Sequence, residues 1–113
     1  MTRGEIVLVP FPFTDLTAMK QRPAVVVSRS GASGRDVILA FVTSDLRYRR
    51  APAALLIDSS HPEFTRTGLK TPSVVRLDKL VTLEQSLVLG LMGELPGDLV
   101  ADVDARLRYA LDL

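Results

Sequence analysis

Apolar runs of strand length recur along the chain, separated by residues that turn it: Ile6 to Val9, Ala24 to Val27, Val37 to Val42, Ala53 to Ile57, Ser73 to Leu77, and a last pair around Lys79 to Thr82 and Leu87 to Leu95. They are valine-rich and often unalternated, as strands are when both faces are buried. Between them stand the turn-forming clusters Pro10 to Asp15, Ser30 to Gly34 and Ser59 to Pro62. Gly31 to Asp36 suits a hairpin. The stretch Asp45 to Pro52 lacks a core pattern, so Arg47, Tyr48, Arg49 and Arg50 are expected on a loop. After Pro96-Gly97 the period changes. Leu99, Val100, Val103, Leu107, Ala110 and Leu111 recur at helical spacing, with Asp98 placed to cap the helix. The pattern predicts a mainly β (α+β) fold, a mostly antiparallel barrel of five to seven strands with a C-terminal helix.

At 113 residues the chain is expected to be one domain, 1–113, and 47% apolar with 24% charged residues is an ordinary globular composition. It has no cysteine, which excludes a disulfide framework, a thiol nucleophile and a cysteine-built zinc site. Glu5 stands where a signal peptide's apolar stretch would begin, and no apolar run approaches the roughly 18 residues of a membrane span. A soluble, cytoplasmic protein without membrane contact is the expectation.

Charge is unevenly spread. Residues 20 to 50 hold seven basic groups against Asp36 and Asp45, a balance of +5 in a chain whose formal net charge is +1. Asp98, Asp102, Asp104 and Asp112 crowd the C-terminus. A basic middle is a footprint that a polyanion uses, and arginines scattered on a solvated face would read the same way.

The residue inventory removes several mechanisms. His61 is the only histidine, so one chain cannot supply an imidazole base and acid together; in Ser60-His61-Pro62 it reads as a solvated loop residue. There is no H-x-x-x-H, EF-hand or clustered acidic pattern, and the helix acids suit a solvated outer face. Gly31 and Gly34 precede a strand rather than a helix, unlike a phosphate loop. Neither metal nor cofactor is expected. Arginine and hydroxyl chemistry remain, and two places offer it. Arg22 directly precedes Pro23, which biases it toward an extended conformation at the start of a buried strand. Thr43 and Ser44 end the run Val37 to Val42 just before the arginine-rich loop, where a strand residue and a plain turn explain them equally well.

At these residues the chain resembles the MazF/PemK family of toxins from type II toxin-antitoxin systems. The resemblance is carried by Arg3-Gly4-Glu5-Ile6-Val7-Leu8-Val9-Pro10-Phe11-Pro12-Phe13-Thr14-Asp15, by Arg22-Pro23-Ala24-Val25-Val26-Val27-Ser28, by Phe41-Val42-Thr43-Ser44 and by Gly68 to Lys79. It implies an SH3-like barrel, a homodimer and a metal-independent, sequence-specific endoribonuclease (an mRNA interferase) acting on single-stranded RNA. It also implies a cognate antitoxin whose disordered acidic segment blocks the RNA site. The family's catalytic arginine falls on Arg22 and its catalytic threonine on Thr43. Lys20, Ser44, Arg47, Arg49 and Arg50, from the same basic segment, are expected to bind RNA. Cleavage would follow attack by the substrate's own 2′-hydroxyl, leaving a 2′,3′-cyclic phosphate and a 5′-hydroxyl, with the guanidinium fork stabilising the phosphoryl oxygens. Leu16 to Gln21 replaces a Gly-Ser-Glu-like loop, and Val81 stands where an arginine is frequent. These departures bear on the cut sequence more than on the reaction. The rival expectations are a DNA gyrase inhibitor of the CcdB type, which shares the barrel, and a non-catalytic binding module.

Overall fold

The computed structural model describes residues 1–11, 20–29, 31 and 34–113. The segment 12–19, which holds most of the expected first loop, and residues 30, 32 and 33 of the expected hairpin turn lie outside the described residues. Six strands form: β1 Glu5–Phe11, β2 Lys20–Val26, β3 Asp36–Thr43, β4 Ala54–Ile57, β5 Ser73–Glu84 and β6 Gly90–Glu94. The helix α1, Gly97–Leu111, follows them. They join in one antiparallel sheet of order β4-β5-β3-β2-β1-β6. Among the described residues, no helix is long and apolar enough to cross a membrane.

The runs read as doubly buried are so, and strand parity sorts them. Ile6, Val25, Val27, Ala40, Val42, Val75 and Leu77 belong to one buried cluster, which α1 completes with Leu99 and Val103. The residues one step along, Val7, Val9, Ala24, Val26, Val37 and Leu39, form a second cluster that contains no helix residue. The curl of the sheet, with Val81 and Val88 drawn over it, covers this second core. Each fully buried valine or leucine adds about 1.5–3 kcal/mol over leaving it exposed, so neither face can be given up cheaply.

Ser73 to Leu77 and Lys79 to Thr82, expected as separate strands, are one. The register explains why they looked separate: Ala40 of β3 faces Leu80, yet the next residue, Phe41, faces Arg76. Residues 77–79 therefore bulge out of the ladder, interrupting the apolar pattern without ending the strand. The first part of β5 also pairs with β4, Ala54 opposite Arg76.

Three expectations about the helix need correction. Asp98 is not its cap: Pro96 holds that position without a side-chain hydrogen bond, and Asp98 lies in the first turn. Leu111, assigned to the apolar face by spacing, is exposed. The acids are not merely solvated, since Arg3 Nε donates to Asp104 Oδ1 at 3.1 Å and Asp98 Oδ2 lies 2.9 Å from His61 Nε2. His61 is correspondingly no free loop residue. Its Nδ1 accepts from the Glu63 amide at 3.0 Å, which leaves Nε2 to carry the proton it donates to Asp98. The 58–63 segment is thereby tied to the start of α1.

The His61 hydrogen bond holds the Asp98 carboxyl below its ordinary value of 3.8. A carboxyl whose pKa is lower folded than unfolded adds stability that is whole above the unfolded value and is lost as pH falls through the folded one. Thermal melts are therefore expected to show the wild type losing its advantage over Asp98→Asn as pH drops below about 4. A gap that stays constant through acid would remove this pair from the account.

Candidate active site

The site begins with a missing hydrogen. The Val27 amide donates to the Ile38 carbonyl of β3 at 2.9 Å. Strand period carries the same direction to residues 25 and 23. Residue 23 is proline and has no amide to give, and the β2–β3 ladder stops at the pair Ala24–Phe41. Two residues beyond that pair, Arg22 and Thr43 occupy matching positions on strands no longer bonded to each other. Arg22 is not at the first residue of its strand, as expected, but within it, because β2 continues back to Lys20 along β1, with Arg22 opposite Val9.

Parity places more than these two together. Phe41 pairs with Arg76, so Arg22, Phe41, Thr43 and Arg76 all fall on the face of the second core, at its open end. There they line a cleft of about 600 Å³, joined by Ser44, Asp45 and Tyr48 from beyond β3, Leu69 to Thr71 from the loop before β5, Lys79 from the bulge and Met92 from β6. Among the described residues its charged lining is Arg22, Lys70, Arg76 and Lys79 against Asp45 alone.

Asp45 is itself spoken for. Its carboxylate grips Arg47 in a fork, Oδ1 to Nε at 3.0 Å and Oδ2 to Nη2 at 2.6 Å, and accepts the Arg47 amide at 3.0 Å. The Arg47 side chain holds the Asp45 carboxyl below its usual range. Thr43 Oγ1 accepts the Asp45 amide at 3.1 Å, an arrangement that leaves its hydroxyl proton to be donated outward. Arg22 is exposed and has no hydrogen-bond partner among the described residues. Arg76 differs. Its Nε and Nη2 reach Asp78 at 3.2 and 2.8 Å, and its Cζ lies 4.2 Å from the centroid of the Tyr48 ring. Arg76 in turn lowers the pKa of Asp78.

Of the residues singled out by sequence, Arg22, Thr43 and Ser44 line the cleft. Lys20 is exposed at the start of β2, and Arg47, Arg49 and Arg50 are exposed on and after the short 3-10 turn Leu46–Tyr48, outside the lining. Arg49 Nη1 is bonded to the Leu46 carbonyl at 2.8 Å. Val81, the departure from the frequent arginine, packs on the second core and does not line the cleft. Sequence reasoning passed over Lys70, Arg76 and Lys79 and gave Tyr48 no role. The available signal was Arg76, a charge set inside the apolar run Ser73 to Leu77. Among the described residues no three His, Cys, Asp or Glu side chains come together as a metal site.

The description "PemK-like, MazF-like toxin of type II toxin-antitoxin system" fits residues 2–111 of this sequence. The chain belongs to that family. Within it, the endoribonuclease MazF6 of Mycobacterium tuberculosis is 31% identical over 97 residues, covering 83% of this chain and 81% of the relative. Two solved structures share the fold of this PemK/MazF member. A mycobacterial endoribonuclease in complex with its cognate antitoxin superposes with a TM-score of 0.78 at 19% identity, covering 100% of this chain and 96% of the other. MazF from Deinococcus radiodurans gives 0.73 at 23% identity, covering 100% and 97%. The sheet and C-terminal helix expected from the sequence are thus the family's own.

Proposed function

We propose that this PemK/MazF-family protein is a sequence-specific endoribonuclease toxin that cuts single-stranded RNA in the Arg22–Thr43 cleft without a metal ion. The observation that carries the reading is the meeting of Arg22 and Thr43 across the end of the β2–β3 ladder, in a basic cleft. The substrate's 2′-hydroxyl oxygen attacks the adjacent phosphorus and gives up its proton. The bond from phosphorus to the 5′ oxygen breaks, and that oxygen takes up a proton. The products are a 2′,3′-cyclic phosphate and a 5′-hydroxyl. Negative charge on the nonbridging oxygens peaks in between, where the planar fork of Arg22 supplies two aligned donors and Thr43 a third. A guanidinium is a rigid fork of donors with no acceptor, so Arg22 serves as a charge stabiliser rather than a proton carrier.

Lys70 and Lys79 stand ready for flanking phosphates, and Lys20, Ser44, Arg47, Arg49 and Arg50 extend the binding surface along the strand. Among the described residues the one lining carboxylate is engaged by Arg47, so this part of the cleft offers a phosphate cations. The protein works in the cytoplasm as a homodimer, and the acidic segment of a cognate antitoxin occupies the same cleft because it presents the same kind of charge as RNA.

Purified protein is expected to cleave single-stranded RNA in EDTA and to leave 5′-hydroxyl ends, read by whether a kinase can label the fragments without phosphatase. Its binding should weaken steeply with salt, in proportion to the phosphates contacted. Strict dependence on Mg²⁺ would overturn the mechanism.

A further inference from the structure

We propose that Tyr48, braced by Arg76, is a stacking platform for a base beside the scissile phosphate; this rests on the reading of the cleft as an RNA site. Among the described residues two aromatic side chains line the cleft, Phe41 and Tyr48. Phe41 packs against the second core, whereas Tyr48 keeps 38% of its surface exposed. A solvent-facing ring on the wall of a basic cleft is the feature by which single strands are held, because every base has a π-face to lay on it.

The ring is fixed from two directions. Arg76 covers one face, its Cζ 4.2 Å from the centroid, and the guanidinium is pinned by its two bonds to Asp78. The backbone of Tyr48 is set by a relay of short bonds that starts at Thr43. Thr43 Oγ1 accepts from the Asp45 amide, Asp45 Oδ1 accepts from the Arg47 amide, and the Arg49 amide closes on the Leu46 carbonyl at 3.1 Å. The residue proposed to hold the phosphate and the ring proposed to hold the base are thus five positions apart on one ordered segment. A ring already held loses little freedom on binding, so its stacking is not offset by ordering cost. Leu69 and Met92 supply apolar wall for the rest of the base, and a cleft of about 600 Å³ has room for a nucleotide where a phosphate alone would fill little of it. Stacking is tolerant of base identity, so Tyr48 contributes affinity and placement while hydrogen bonds elsewhere choose the sequence.

The test uses the full-length protein and an oligoribonucleotide spanning a mapped cut. Tyr48→Leu, which keeps an apolar side chain but no ring, is expected to raise KM about tenfold or more with a smaller effect on kcat, and Tyr48→Phe and Tyr48→Trp to restore it. A second readout needs no variant. With 2-aminopurine at each position flanking the cut and a 2′-deoxy sugar at the cut itself, fluorescence should be quenched on binding at one position in the wild type, and that quench should vanish in Tyr48→Leu. RNA cleaved normally with no quench at any flanking position, or with an unchanged KM in a folded Tyr48→Leu, would overturn the platform alone. RNA neither bound nor cut by the wild type would overturn the reading beneath it.

Discussion

Replacing Arg22 with alanine is expected to slow RNA cleavage about a hundred- to a thousand-fold, the cost of removing a positioned donor from a developing oxyanion. The protein should remain folded. Arg22 is exposed on the far side of a proline that already ends the ladder, and no described residue depends on its guanidinium for a hydrogen bond. The loss should fall mainly on kcat, because the fork is matched to charge that appears only during reaction. Arg22→Lys should recover little, since an ammonium restores the charge but not two parallel donors. Single-turnover rates beside thermal melts separate the two effects, and undiminished cutting by a folded Arg22→Ala would move the active site elsewhere. Thr43→Val has a milder expectation at the phosphate, because it removes one donor rather than two, although it also takes away the acceptor of the Asp45 amide.

The largest expected effect on stability lies at Gly93. A Cβ built there would stand 2.2 Å from the Arg66 carbonyl oxygen and 2.6 Å from the Thr67 carbonyl carbon. These are backbone atoms of the 3-10 turn Phe64–Thr67, which cannot step aside. Thr67 is fully buried, with its Oγ1 bonded to the Phe64 carbonyl at 2.7 Å and to the Leu69 amide at 3.1 Å. Across the same crossing Gly68, at φ +74°, leaves no room beside the Met92 carbonyl, 2.3 Å from its would-be Cβ. Gly93→Ala is therefore expected to cost about 3 kcal/mol or more and to lower the melting temperature by roughly 10–20 °C. Gly90→Ala, in the same strand with open space around it, should shift stability by no more than about 1 kcal/mol in either direction. Equal melting of the two variants would show that the crossing yields after all. Because Leu69 and Met92 line the cleft on either side of this crossing, Gly93→Ala should also weaken RNA cleavage well below its melting temperature.

How far the site could be read from sequence follows from which interactions are local. Strands with both faces buried announce themselves as unalternated valine runs, and the helix by its period, so the class of fold was plain. Arg22 and Thr43 each carried a local mark, a proline after one and the end of an apolar run before the other. What joined them was register, and register depends on pairing between distant segments. The same holds for Arg76 and Lys79. The bulge at 77–79 looked like a break between strands, and only the pairing of Phe41 with Arg76 turns that charge toward the cleft. His61 and Asp98 show the converse. Each suited its local context, a turn histidine and a helix cap, yet their contact across 37 positions outweighed both local roles.

The order in which the strands pair has a consequence for how the protein is made. The outer edge of β1 is closed by β6, and the cleft draws residues from position 22 to position 92. A nascent chain whose β6 is still in the ribosome can form the β1–β2–β3 hairpins but cannot finish the cleft wall that includes Met92. Synthesis from the N-terminus therefore leaves the cleft unfinished until β6 has emerged and closed on β1.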